Sequence, residues 1–308
     1  MTQLAAGLAL AAAGPIASTA ATVATPLDLP LWPEGVPGAR PGLGPNKVDA
    51  DGRTTNITEP SLRVYPPAVD RANGTAVIVC PGGGYVRQST RREGEQYAQW
   101  LTTLGVTAFV LTYRQLEFGH PAPLQDVLRA VRLVRSQADG YKLRPERIGV
   151  MGSSAGGHLA ASSGTLFDHP LGRTGAALDA VSARPDFLML MYPVITLSGP
   201  AAHAGSRQAL LGAAPTQADL ELMSLERQVT ARTPPTLLIH TQADSSVPVE
   251  NSILFYQALT RAKVPAEMYL FEHGAHGMGM RPGLGTASRW PQRAEEWLRE
   301  RGLLDPAR

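Results

Sequence analysis

Gly152-Ser153-Ser154-Ala155-Gly156 is a G-x-S-x-G, the spacing that suits a hydroxyl nucleophile. Arg147 to Met151 reads as a strand before it, and Gly157 to Ser162 as the start of a helix after it. So sharp a turn strains its central residue, and the flanking glycines leave room for the crossing backbones. The expected result is an accessible Ser154 hydroxyl at the carboxyl edge of a sheet, above a helix N-terminus that favours developing negative charge. Ser153 is the weaker candidate, because the glycines centre on Ser154. A hydroxyl needs a base. His276 lies in Phe271-Glu272-His273-Gly274-Ala275-His276-Gly277-Met278, a loop directly after an expected strand. His273 ranks second. His158 follows the serine turn and should face inward along its helix, His240 ends a strand, and His120 and His203 lie in loops. For the carboxylate that orients the base, Asp244 in Ala243-Asp244-Ser245-Ser246-Val247-Pro248 is the first choice. Glu250 is the alternative, expected instead as a surface charge opening the next helix. Asp126 falls on the wrong side of the chain order.

The transition state of such chemistry carries an oxyanion, which needs donors. Pro81-Gly82-Gly83-Gly84-Tyr85 follows a strong strand signal, and its glycines let backbone amides point at one spot. Gly83 and Gly84, with the amide of Ala155, are the assigned donors; losing one such donor typically costs ~3 kcal/mol of transition-state stabilisation. The rival reading of a glycine-rich loop is phosphate binding. No Gly-Lys-Ser/Thr follows it, and the dinucleotide spacing is absent. His273 and His276 have only Glu272 nearby at a ligand-like spacing, so neither a metal nor a cofactor is expected. Arg87, Trp100, Tyr85, His158 and His203 are candidates for lining a pocket, with a structural or surface role as the default for each.

The elements that must position these residues are legible as a rhythm. Apolar runs at Ala76–Cys80, Val106–Tyr113, Ile148–Met151, Phe187–Tyr192, Thr236–His240 and Ala266–Phe271 read as strands. Between them, Arg92–Leu104, Pro123–Asp139, Ala155–Leu166, Val249–Ala262 and Ala287–Arg301 read as helices. Continuous apolar strands separated by helices imply a mostly parallel central sheet with helices on both faces, an α/β fold. Pro26 to Pro67 reads as an extended arm with one short strand, Ser61–Tyr65. Residues 167–184 and 197–228 fit the alternation poorly and are expected as edge insertions, candidates for a cap. Residues 25–308, these insertions included, read as one catalytic domain.

Composition narrows the class. The chain has 308 residues, 44% hydrophobic, ample for a large core. With 28 basic against 26 acidic residues, no global field draws it to nucleic acid or to an anionic membrane. Cys80 is the single cysteine, so no intrachain disulfide forms, and its apolar run marks it as a buried thiol. Leu4 to Ala24 is alanine-rich and uncharged, like the apolar core and small-residue exit of a signal peptide, although no Lys or Arg precedes it; a disordered tail over 1–24 is the alternative. A secreted or periplasmic protein is the expectation. Gly14 and Pro15 break the run, which argues against a spanning helix.

Taken together, these residues resemble α/β-hydrolase esterases of the BD-FAE and acetyl-xylan-esterase-like group. The resemblance runs through Pro30-Leu31-Trp32-Pro33-Glu34-Gly35-Val36-Pro37-Gly38, Val79 to Tyr85, Ala108 to Arg114, His120 to Asp126, Val247 to Ser252 and the loop to His276. It implies the α/β-hydrolase fold, with the chain order Ser154, Asp244, His276 that this fold uses. It also implies hydrolysis of short acyl esters, often acetyl groups on xylan or its oligomers, with a small-molecule or oligosaccharide ester as partner. Ala275 departs from the glycine expected there. A feruloyl or aryl esterase and a prolyl-peptidase-like serine peptidase are the alternatives. Cleavage of a glycosidic bond would need a flanking carboxylate pair, which no motif here indicates.

Overall fold

The computed structural model describes residues 27–306. The alanine-rich Leu4 to Ala24 stretch lies outside the described residues. Among the described residues ten strands form: β1 Leu27–Pro30, β2 Lys47–Val48, β3 Thr54–Thr55, β4 Ser61–Tyr65, β5 Ala76–Cys80, β6 Thr107–Thr112, β7 Ile148–Ser153, β8 Phe187–Met191, β9 Thr236–Thr241 and β10 Ala266–Phe271. Eight of them make one sheet, in the order β1-β4-β6-β5-β7-β8-β9-β10. From β6 to β10 every pairing is parallel; β1 and β4 add an antiparallel edge. β2 and β3 pair separately.

The helices are α1 Gln96–Thr103, α2 Ala122–Ser136, α3 Ala155–Thr165, α4 Ala204–Leu211, α5 Gln217–Leu222, α6 Glu250–Arg261 and α7 Trp290–Glu300. The strands are apolar throughout because both faces are covered, and β5 shows how. Ile78 and Cys80 join the core built with α2, α3 and α6, while Val77 and Val79 join the core built with α1 and α7. This is the α/β-hydrolase arrangement. Cys80 is fully buried, and burial pushes its thiol well above the ordinary range, so it is an inert packing group.

Two helix starts differ from the sequence reading by more than one residue. A π-helical turn, Thr90–Glu95, precedes α1 where one continuous helix was expected. α7 begins at Trp290 after a 3-10 turn over Gly285–Arg289 rather than at Ala287; Pro291, lacking an amide proton, belongs in the first turn of a helix and sets that start. The arm is also more ordered than expected. β1 pairs with β4, and Leu31 and Trp32 plug the core. The Trp32 indole donates to Asp126, which also takes Arg114 at 2.8 Å in a buried ion pair.

The parallel run points the carboxyl ends of β5, β7, β9 and β10 to one edge. The chain leaves β5 toward β6, then returns across it to β7, so the winding reverses between β5 and β7. Ligands in open α/β sheets settle outside such a reversal. The Gly82–Gly84 loop follows one of these strands and Ser154 the other.

Candidate active site

Ser154 ends β7 and precedes α3 with φ 55° and ψ −123°, a left-handed backbone that a side chain rarely adopts. Three backbone bonds hold it there: its amide donates to Met191, and its carbonyl accepts from His158 and Val194. Glycines make the turn possible. A Cβ at Gly152 would stand 2.0 Å from the Gly156 carbonyl oxygen, and one at Gly156 would stand 2.1 Å from that of Cys80.

Three side chains from three loops meet at this turn. His276 Nε2 is 2.8 Å from Ser154 Oγ, and His276 Nδ1 is 2.6 Å from Asp244 Oδ2. The other Asp244 oxygen accepts the amides of Ser246 and Val247, both at 2.9 Å. Burial works against ionisation of Asp244, but hydrogen bonds from His240 and His276 and from the Val247 amide outweigh it and hold the carboxyl well below the usual carboxylate range. Asp244 therefore stays a carboxylate, an acceptor that leaves Nδ1 of His276 protonated and Nε2 free to accept from Ser154.

The candidate oxyanion loop lines the same cleft. Gly83 and Gly84 have φ of 137° and 71°, and the Gly83 carbonyl accepts the amides of Val86 and Arg87, closing a tight turn. The amides of Gly83 and Gly84 donate to no acceptor among the described residues. Ala155 opens α3, so its amide lacks an intrahelical partner. Gly82 is different: its amide donates to Glu93 Oε2 at 2.8 Å.

The remaining candidates separate by position. The Ser153 hydroxyl turns to the opposite face of the sheet and donates to Tyr97. His273 is exposed beside Glu272. Glu250 is an exposed residue at the start of α6. Asp126 is the partner of Arg114. Of the five candidate pocket residues, Arg87 and His203 line the cleft. Trp100 packs edge-on against Trp290. Tyr85 is buried, and its hydroxyl bonds His158 Nδ1 at 2.8 Å. Of the expected insertions, 197–228 reaches the cleft through His203 and Gly205; 167–184 lies along α2, where Arg132 meets Asp179 and the Gly172 carbonyl.

Three residues that the sequence reading did not single out for this region touch it. Glu93 sits in the cleft wall, Tyr192 packs edge-on against the His276 ring at 5.1 Å, and Arg281 donates to the carbonyls of His276 and Gly277. Behind Asp244, His240 Nε2 lies 3.5 Å from Oδ2 while also facing the Val247 carbonyl at 3.1 Å.

His158 links the candidate nucleophile helix to the candidate oxyanion loop through Tyr85 and to the 197–228 segment through Met223, whose carbonyl accepts from Nε2 at 2.9 Å. Burial lowers it from 6.5 to about 4. Between those values the unfolded chain binds a proton that the folded chain refuses, so its contribution to stability is complete above about pH 7 and falls on acidification. This group alone should make the fold about 2 kcal/mol less stable at pH 5 than at pH 8. His120, also lowered to about 4 by burial, adds a step of the same sign. Urea unfolding at the two pH values checks this: His158→Gln should flatten the pH dependence relative to wild type, and parallel curves would count against it.

A cleft of about 350 Å³ holds Ser154 and His276. It shares Val86 and Gly205 with a larger cavity of about 680 Å³, whose lining includes Arg40, Phe118, His120, Gln208 and Asp219.

Residues 62–259 match the BD-FAE family. The chain is 41% identical over 213 residues to endo-1,4-beta-xylanase B of Butyrivibrio fibrisolvens, covering 68% of this chain and 33% of that protein. It is 30% identical over 234 residues to acetylxylan esterase of Xylanibacter ruminicola, covering 75% and 46%. The chain thus spans between a third and a half of the length of these two relatives. The crystal structure of an acetyl ester-xyloside bifunctional hydrolase from Caldicellulosiruptor lactoaceticus superposes with a TM-score of 0.82 at 39% identity, covering 92% of this chain and 99% of that one. The family match spans β4 through most of α6, including the glycine loop, the serine turn and Asp244, and the chain belongs to the BD-FAE family.

Proposed function

We propose that this chain is a serine carboxylic-ester hydrolase that removes short acyl groups, chiefly acetyl, from carbohydrate esters such as acetylated xylan or xylo-oligosaccharides. The observation that carries the reading is the unbroken line from Ser154 Oγ through His276 to Asp244, at 2.8 and 2.6 Å. Ser154 attacks the ester carbonyl as His276 Nε2 takes its proton. Asp244 holds the ring and balances the imidazolium. The tetrahedral oxyanion rests on the amides of Gly83, Gly84 and Ala155. His276 then protonates the leaving alcohol, and water repeats the sequence on the acyl-enzyme.

The sugar side of the proposal draws on two supports. The names of the relatives speak of acetylated xylan and acetyl esters. The cleft also shares Val86 and Gly205 with a neighbouring cavity lined by charged and amide side chains, a place where further glycosyl units could rest. Two of the relatives' names also speak of xylan or xyloside cleavage. That chemistry needs two opposed carboxyl groups. Among the described residues, Glu93 is the one acidic side chain lining the cleft, and both its oxygens accept hydrogen bonds. The alanine-rich Leu4 to Ala24 stretch supports a secreted or periplasmic location, and among the described residues no helix is long and apolar enough to cross a membrane.

A fluorophosphonate probe should leave one adduct, on Ser154. Acetylated xylo-oligosaccharides should then be turned over faster than feruloyl esters or a chromogenic proline dipeptide. An adduct elsewhere, or faster turnover of the dipeptide, overturns the reading.

A further inference from the structure

Glu93 has no part in the acyl transfer just described, yet it is a buried acidic group in the wall of the cleft that holds Ser154 and His276. It is 6% exposed and is carried by the π-helical turn Thr90–Glu95, a wide turn of the kind that recurs at functional sites. Its Oε2 accepts the Gly82 amide and its Oε1 the Tyr192 hydroxyl, each at 2.8 Å. Gly82 immediately precedes the assigned oxyanion donors. Tyr192 lies against the imidazole of His276, with the rings 72° apart in plane. A Cβ on Gly277 would sit 3.8 Å from Oε1, so the His276 loop passes directly beside this carboxyl. One side chain therefore bonds the loop under the oxyanion and the ring that supports the base.

We propose that Glu93 is a positioning residue whose carboxylate fixes the Gly82–Gly84 loop and, through Tyr192, the His276 ring, while placing a second negative charge beside the imidazolium formed during acyl transfer. The proposal rests on the roles given above to Ser154 and His276. The groups facing Glu93 are Tyr192, Tyr97 behind it with hydroxyls 3.2 Å apart, His276, and Arg281 at the far side of the His276 loop. Burial favours the neutral acid, opposed by the bonds from Tyr192 and Gly82. An ionisable group kept buried in the wall is costly, and glutamine would fill the same space, so a use for the charge accounts for its presence.

Glu93→Gln separates charge from shape. Turnover of p-nitrophenyl acetate should fall about ten- to hundredfold in kcat, the scale of a small misplacement of reacting groups. KM should stay within about threefold, since the effect lies in the transition state. The acidic limb of kcat/KM should move to lower pH, because the imidazolium has lost a negative neighbour, and Tm should hold or rise as a buried charge is removed. Glu93→Asp keeps the charge and shortens the reach, so its acidic limb should stay near that of wild type while kcat falls. An unmoved acidic limb in Glu93→Gln overturns the proposal, whatever happens to kcat. Should that variant fail to fold, Tyr192→Phe decides: it cuts the link to the ring, and an unchanged kcat sinks the idea. A wild-type chain without ester turnover would instead overturn the esterase reading, so the two failures are distinguishable.

Discussion

Ser154→Ala and His276→Ala should each lower kcat for p-nitrophenyl acetate by about 10⁵- to 10⁶-fold, and the double variant should be no worse than either. In the proposed mechanism the two groups act as one unit. Without the hydroxyl there is no acyl-enzyme, and without Nε2 at 2.8 Å no acceptor stands ready for its proton. Residual rate over water should persist, because the amides of Gly83, Gly84 and Ala155 would still polarise a bound carbonyl. Asp244→Asn should cost about 10⁴-fold for a different reason. The asparagine amide can turn an N–H toward Nδ1, which favours the tautomer that puts the proton on Nε2, where it blocks acceptance from Ser154. Losing the carboxylate also leaves the Ser246 and Val247 amides dependent on the remaining carbonyl oxygen. Circular dichroism and labelling with a fluorophosphonate accompany the rates. Asp244→Asn should still fold and label slowly at Ser154. A Ser154→Ala protein that retains wild-type turnover would remove the nucleophile from the proposed function altogether.

The parts of this site that a sequence reveals are those governed by local backbone chemistry. Gly152 and Gly156 around Ser154, and Gly82 and Gly83 after β5, are visible because a Cβ at any of them would stand within 2.5 Å of a backbone oxygen. The strands were visible because both faces of the sheet are covered, which leaves no polar alternation to confuse the pattern. Asp244 and His276 became visible once strands had been placed before them. Glu93 was hidden because, at the start of a helical pattern beside Arg91 and Arg92, a glutamate reads as an exposed N-terminal charge. A π-helical turn carries it inward, and a Cβ at Gly94 in that turn would stand 2.8 Å from Val110 and 3.2 Å from Pro81, neighbours distant in sequence. Tyr192 looked like the end of an apolar strand. Its φ of 36° carries it out of the strand and under His276, a departure no periodicity announces. The start of α7 was misplaced because the apolar spacing ran on through Ala287, whereas Pro291 decided the boundary.

Gly156→Ala sets two rules of protein chemistry against each other, and the outcome measures how tightly the serine turn is built. In an exposed helix, replacing glycine by alanine stabilises by up to about 1 kcal/mol. Gly156 is in α3, so propensity alone predicts a gain. The new Cβ, however, would stand 2.1 Å from the Cys80 carbonyl oxygen and 2.6 Å from that of Pro81. Both are backbone atoms at the end of β5, in the center of the sheet, and neither can rotate away as a side chain would. Relief requires α3 to move off β5, carrying Ser154 away from the Gly83 and Gly84 amides. Overpacking of this kind typically costs 1–3 kcal/mol, and a clash with fixed backbone belongs at about 3 kcal/mol or more. The steric effect is larger than the propensity, so the variant should be less stable, with activity lost even in the fraction that folds. Gly140→Ala is the matched control: its Cβ meets nothing within 4 Å, and the change should be neutral or stabilising by less than about 1 kcal/mol. Urea unfolding of both variants, with turnover measured on the folded fraction, tests the pair. A Gly156→Ala protein as stable and active as wild type would mean that α3 and β5 are not packed backbone to backbone, and the argument for how Ser154 is aimed would fail with it.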